Sequence, residues 1–128
     1  MDSRTGKKIR LGRIFDEKSG NALVVAYSHG VIMGPLSGMR SLKEMKEVTL
    51  AMAEVDALMV APGMITSLEE AFIGKSRPAL FVHFDYQSYV RKVLPYPVGA
   101  TVELGSVTSA LAAAAAALMS SLHIGHED

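Results

Sequence analysis

Four apolar runs recur along the chain with helix-patterned segments between them, and this alternation narrows the possible folds more than any other feature of the sequence. The runs are Ala22–Tyr27, Ala57–Ala61, Ala79–Phe84 and a weaker fourth, Leu118–Ile124. Strands covered by helices on both faces read as continuous apolar runs rather than as polar–apolar alternation. The first run ends at the polar triplet Tyr27-Ser28-His29, ahead of Gly30 and the turn at Gly34-Pro35. The second ends at Pro62-Gly63 and the fourth at Gly125.

Ser41 and Glu44 have the spacing of a capping box. Leu42, Met45, Val48, Met52 and Val55 recur every three to four residues, so the spacing predicts a helix over Ser41–Val55 with one apolar stripe. Met45, Met52 and Met59 are expected in the core, where methionine fills irregular gaps. Thr66 or Ser67 is placed to cap a short helix with Glu69 and Glu70 in its first turn, where acidic groups suit the helix dipole. Gly74 is placed to end it. Asp85–Tyr96 has no clean period and contains Pro95, and the following "VGATVELGS" reads as a short extra strand. Ser106 is expected to cap an alanine-rich helix over Val107–Ala115, alanine being the strongest helix former.

The resulting order, β-α-β-α-β-α-β, predicts an α/β fold with a parallel sheet and right-handed crossovers. A doubly wound sheet and a (β/α) barrel both satisfy it. Gly30, Gly34 and Gly38 are not spaced as G-x-G-x-x-G, so a dinucleotide fold has no support. The 128 residues, 49% of them hydrophobic, are enough for one compact domain with a sizeable core. Lys plus Arg and Asp plus Glu number 13 each, which gives no general attraction to nucleic acid or anionic lipid. The absence of cysteine removes disulfide and thiolate chemistry and suits a reducing compartment. No apolar run approaches the roughly 18–20 residues of a membrane span, and the basic stretch Met1–Arg13 lacks the apolar core of a signal peptide. The expectation is a cytoplasmic protein with no nucleic-acid or membrane partner.

The stretch "GKKIRLGRIFDEKSGNALVVAYSHGVIMGP" resembles the opening of the archaeal-type class I fructose-bisphosphate aldolases. Their relatives include the aminodideoxyheptulosonate synthases and the autoinducer-2 aldolase-like thiolases. Lys7 to Phe15, Ser19-Gly20, His29-Gly30 and Gly34-Pro35 match the family's opening phrase, its turn before strand one, and the His-Gly and Gly-Pro that follow. "EVDALMVAPGMI" is similar to the family's second strand, "ALFVHFD" to its third, and "GSVTSALAAAAAALMSSLHIGHED" to its next helix and fourth strand. The resemblance implies a parallel (β/α) half-barrel: about four βα units, the N-terminal half of a TIM barrel, forming one incomplete domain over residues 1–128. A closed barrel takes eight strands and about 250 residues. Residues 1–20 are then a lead-in at the barrel bottom. The family's Schiff-base lysine lies on a later strand and its phosphate site on the last two. Where the family has Asp-His-Gly, this chain has Ser28-His29-Gly30.

Chemistry in a βα barrel gathers where strands end and loops begin. Ser28, at the family Asp position, and His29 are therefore the candidate catalytic residues, and Gly30, Gly63, His83, Asp85 and His123 the candidate pocket residues. A serine hydroxyl needs a base of its own before it can stand in for a carboxylate. Neighbouring strand residues point to opposite faces, so His29 is not expected to supply that base. His83 and Asp85 share one strand face and read either as an acid–base pair or as a hydrogen-bonded strand end. His123, His126, Glu127 and Asp128 are read as a solvated polar tail rather than a metal site, since His at i and i+3 across a glycine is a weak ligand signal. Lys75, in the turn before the third run, and Arg91 and Lys92 are read as solvated, Lys75 at the end of the barrel away from the chemistry.

The functional expectation is the N-terminal half of a class I, Schiff-base aldolase-family protein acting on phosphorylated keto-sugars, with no metal and no cofactor, inactive without the imine lysine. Two alternatives stand beside it: a non-catalytic half-barrel that self-associates through its open sheet edges, and a thiolase- or transaldolase-like family member with altered proton chemistry. The expected partners are a phosphorylated sugar and either a second copy or the missing C-terminal half.

Overall fold

The computed structural model describes residues 2–87 and 101–121. In chain order the elements are α1 (Ser3–Leu11), β1 (Val24–Ala26), α2 (Gly30–Met33), α3 (Leu42–Ala51), β2 (Ala57–Val60), two 3₁₀ turns (Pro62–Met64 and Thr66–Ala71), β3 (Ala79–His83), β4 (Asp85–Gln87), β5 (Thr101–Glu103), α4 (Val107–Ala112) and β6 (Ala117–Met119).

The first three apolar runs each contain a strand; the fourth overlaps β6 only at Leu118 and Met119, with Ser120 and Ser121 already past the strand and 122–124 outside the described residues. Strands β1, β2, β3 and β6 form one sheet in that order with every neighbouring pair parallel. Spatial order follows chain order without a reversal. A doubly wound sheet reverses at a switch point, whereas strands laid side by side in sequence are the arrangement of successive βα units in a barrel. The alternative left open by the alternation alone is thus decided toward a partial parallel half-barrel. The extra strand expected in "VGATVELGS" is β5, which pairs antiparallel with β4 in a separate two-stranded ribbon.

The core lies where the central strands are covered. Leu58 and Val60 on β2 are fully buried, with Leu80 and Val82 on β3 beside them and Leu68, Ala71, Ala110 and Ala115 closing over them. The unbroken apolar reading holds for β2 and β3 but not for β1, where Val24 is 42% exposed. Among the described residues β1 pairs only with β2, so one of its edges and part of its surface stay uncovered.

Helix α3 forms where the stripe predicts it, and Met45, Val48, Met52 and Val55 pack against the core. Two details differ. Leu42 is half exposed, because it sits at the solvent side of the first turn. The helix ends at Ala51 rather than Val55. Ser41 Oγ accepts from the Glu44 backbone N–H at 3.2 Å, as a capping box requires, but the Glu44 carboxylate reaches past Ser41 to the N–H groups of Gly38 and Arg40, each at 2.9 Å. The complete box is instead in α4, between Ser106 and Ser109.

The two remaining helical readings are corrected. Thr66 and Ser67 cap nothing: the cap position is Ile65, whose φ of −56° and ψ of −53° are already helical. The chain runs from one 3₁₀ turn into the next, leaving no extended residue whose side chain can turn back on the first N–H groups. Helix α4 stops at Ala112, three residues short of Ala115. Ala114 takes φ +58°, its N–H donates to the Leu111 carbonyl, and the Ala115 N–H donates to the Ala110 carbonyl, both at 3.0 Å. This is a Schellman ending with alanine in the seat usually held by glycine. Helix propensity loses here to the burial of Ala115 and to the Ala116 N–H, which joins the sheet at the Leu80 carbonyl. Helix α1, begun by the Asp2 carboxylate accepting from Arg4 N–H at 3.0 Å, had no apolar period to announce it.

Candidate functional site

The polar residues that interrupt the apolar runs collect at the C-terminal edge of the sheet. The Tyr27 N–H still donates to the Met59 carbonyl at 2.7 Å, extending the ladder one residue beyond β1. Ser28 is the next residue, and its carbonyl accepts from Val31 as the chain turns into α2. His83 is the last residue of β3, and Asp85 is the first of β4. Ser28 and His83 are each 3% exposed and Asp85 1%, so three polar side chains lie inside the protein.

They lie there together. The Ser28 Oγ is 2.7 Å from the His83 Nδ1, and the His83 Nε2 is 3.5 Å from the Asp85 Oδ1. His83 and Asp85 do share a face, as the period of two predicts, although the chain passes from one sheet to the other between them. Asp85 is in turn held by the residues that follow β6: Ser120 Oγ donates to its Oδ2 at 2.9 Å, Ser121 N–H to the same oxygen at 2.6 Å, and Ser121 Oγ to Oδ1 at 3.1 Å. Burial pushes the Asp85 carboxyl up. The donors from Ser121 and Ser120, together with His83, outweigh it and hold the group below the usual carboxylate range. A hydroxyl after β1, an imidazole at the end of β3 and a carboxylate at the start of β4 are thus lined up, the carboxylate held by the serines that follow β6.

The other candidate residues are placed differently. His29 opens α2, its carbonyl accepting from Ile32 and Met33, while its ring meets the Tyr27 ring edge-on with centroids 5.8 Å apart. Tyr27, buried, donates its hydroxyl to the Gly38 carbonyl. Burial and the nearby Glu44 charge both raise the Tyr27 hydroxyl above its ordinary value. Gly38 adopts φ +89°, a conformation that leaves the loop before α3 dependent on glycine. Gly30 is the first residue of α2, and a Cβ there would meet the Met39 sulfur at 3.2 Å. Gly63 is exposed in the first 3₁₀ turn after β2 with open space around it. His123, Arg91, Lys92 and the tail at His126, Glu127 and Asp128 lie outside the described residues. Lys75 lines a cleft of about 890 Å³ with Arg13, Arg77 and Pro78 at the start of β3, the strand's opposite end from His83.

Ser120 and Ser121 carry no distinguishing signal in the sequence, being read as the middle of the fourth run. What marks them is position. A polar pair follows β6 just as Ser28-His29 follows β1, and polar residues breaking an apolar run are where a strand leaves the sheet. Among the described residues no helix is long and apolar enough to cross a membrane.

No family model matches the chain. It is similar to an uncharacterized aldolase of Saccharolobus solfataricus, 34% identical over 122 residues that cover 94% of this chain and 44% of that protein. It is also similar to a 3-hydroxy-5-phosphonooxypentane-2,4-dione thiolase of Escherichia coli, 32% identical over 65 residues that cover 49% of this chain and 21% of that protein. The corresponding thiolase of an Enterobacter species is 34% identical over 62 residues, 48% of this chain and 20% of that protein. The chain therefore spans less than half the length of these curated relatives. They make it a relative of aldolase-type proteins.

Proposed function

We propose that this chain forms one wall of the active site of a class I aldolase-family enzyme that makes or breaks a carbon–carbon bond in a phosphorylated keto-sugar through a lysine imine. The observation that carries the reading is the match to an aldolase along 94% of the chain, joined to a parallel sheet whose buried polar groups sit at its C-terminal edge. That edge is where βα barrels assemble their sites. Each barrel strand pairs on both sides, so further strands of the same barrel close the edges of β1 and β6 that are unpaired among the described residues. They bring the imine lysine and the phosphate-binding loops. Ser28 faces the substrate from the wall supplied by this chain, with His83 and Asp85 behind it.

Borohydride trapping tests this. The protein carrying this chain is incubated with dihydroxyacetone phosphate, reduced, digested and analysed by mass spectrometry. A reduced adduct on one lysine is the expected result, and no adduct at any lysine overturns the imine mechanism. Thiolase chemistry is the second reading, favoured by the matches to two thiolases whose name specifies a phosphorylated diketone. It predicts acyl transfer from such a diketone to a thiol acceptor with no reducible lysine adduct.

A further inference from the structure

We propose that Ser28, His83 and Asp85 form a proton relay in which the Ser28 hydroxyl, at the sheet's C-terminal edge, exchanges the proton with the substrate. The role at the substrate rests on the aldolase-type reading above; the relay's internal polarity stands on the geometry alone.

The polarity follows from which atom faces each imidazole nitrogen. The Asp85 carboxylate, kept ionised by Ser120 and Ser121, accepts hydrogen bonds and donates none. It lies opposite the His83 Nε2 at 3.5 Å. Were the ring proton on Nδ1, the Nε2 lone pair would point at a negative charge in a buried site. With the proton on Nε2 the same contact is attractive. When the ring holds a single proton, that proton therefore lies on Nε2, and a bare Nδ1 is offered to Ser28, whose O–H donates across 2.7 Å. Hydroxyl, imidazole and carboxylate then have the order of a Ser-His-Asp triad with the two ring nitrogens exchanged.

The burial decides between the two uses of such a chain. A nucleophilic serine must admit an electrophilic carbon along the line of attack on its oxygen. Ser28 is 3% exposed and has its hydrogen-bonded side against His83. A proton needs only one contact at the remaining oxygen lone pair. In the step proposed, a substrate O–H or C–H bond breaks, its proton forms a bond to the Ser28 Oγ, and the Ser28 proton moves to the His83 Nδ1. The electron pair stays on the substrate, the ring becomes imidazolium, and Asp85 faces the new positive charge. The reverse step returns the proton. No atom or electron is supplied from elsewhere. This arrangement gives a serine hydroxyl the base that it lacks alone.

The test has two arms that fail independently. In ¹⁵N-labelled protein without substrate, at neutral pH, long-range ¹H–¹⁵N spectra are expected to show His83 with its proton on Nε2 and Nδ1 unprotonated. Asp85→Asn is expected to shift the ring population toward the Nδ1–H form. His83 found mainly as the Nδ1–H tautomer in the unaltered protein overturns the relay, whatever the variants do. In the second arm, deuterium exchange into dihydroxyacetone phosphate is followed alongside borohydride trapping. Ser28→Ala is expected to slow exchange about a hundredfold while the lysine adduct still forms, and Ser28→Thr, which keeps a hydroxyl, to restore most of it. Unchanged exchange in Ser28→Ala with trapping intact overturns the role of Ser28. Loss of trapping in the unaltered protein overturns the aldolase reading and leaves the tautomer result to decide the relay.

Discussion

Ser28 and His83, 55 positions apart in the chain, meet at 2.7 Å across the end of β2, so one hydrogen bond ties the first parallel strand to the third. Both groups are buried, and removing one leaves the other's hydrogen-bonding capacity unmet. Ser28→Ala is expected to destabilise the fold by about 1–3 kcal/mol, read as a lower urea midpoint with an unchanged m-value. A midpoint equal to that of the unaltered protein would mean that water replaces the serine.

Asp85 makes the fold sensitive to acid in a predictable direction. Its carboxyl is held below the ordinary value of 3.8, so it binds protons less readily folded than unfolded. Its stabilising contribution is complete above the unfolded value and is lost as pH falls through the lower folded one. Asp85→Asn is therefore expected to flatten the stability–pH profile below about pH 4, measured by denaturant unfolding at a series of pH values. A profile as steep as the original would remove Asp85 from that role.

The alanine at position 114 offers a stabilising change. A left-handed conformation costs an L-residue roughly 1–2 kcal/mol, and glycine gives back about 0.5–1 kcal/mol in chain entropy. Ala114→Gly is expected to gain on the order of 0.5–1 kcal/mol, seen as a rise in Tm. A fall in Tm would show that the helix end relaxes in solution.

Tyr27→Phe removes the hydroxyl that holds the Gly38 carbonyl and is expected to cost about 1 kcal/mol. Its local signature is faster hydrogen exchange at the Gly38 and Arg40 amides, which Glu44 otherwise protects. Exchange unchanged at both amides would show that Glu44 alone orders the loop.

Much of the fold was legible because burial leaves a periodic trace. The runs around Leu58 and Val82 are continuous because both strands are covered, and the α3 stripe marks the face turned to the core. The ends of elements were less legible. Ala114 breaks a helix that composition favours because Ala115 must be buried, and that demand comes from residues distant in the chain. The site shows the same division. His83 and Asp85 could be paired from their spacing of two. The base for Ser28 could not be found by looking at its neighbour His29, because the parallel register, with Val25 opposite Leu58 and Leu58 opposite Leu80, aligns the end of β1 with the end of β3. Ser120 and Ser121 were hidden for the same reason.

In the relay Ser28 and Asp85 meet opposite nitrogens of one imidazole and act as one unit through His83. A double-mutant cycle in unfolding free energy, built from Ser28→Ala, Asp85→Asn and the pair, tests it most directly. Groups sharing one hydrogen-bonded network couple by about 0.5–3 kcal/mol, and the account predicts a coupling in that range that disappears when the cycle is repeated in a His83→Phe background. Strictly additive effects in the original background would contradict it.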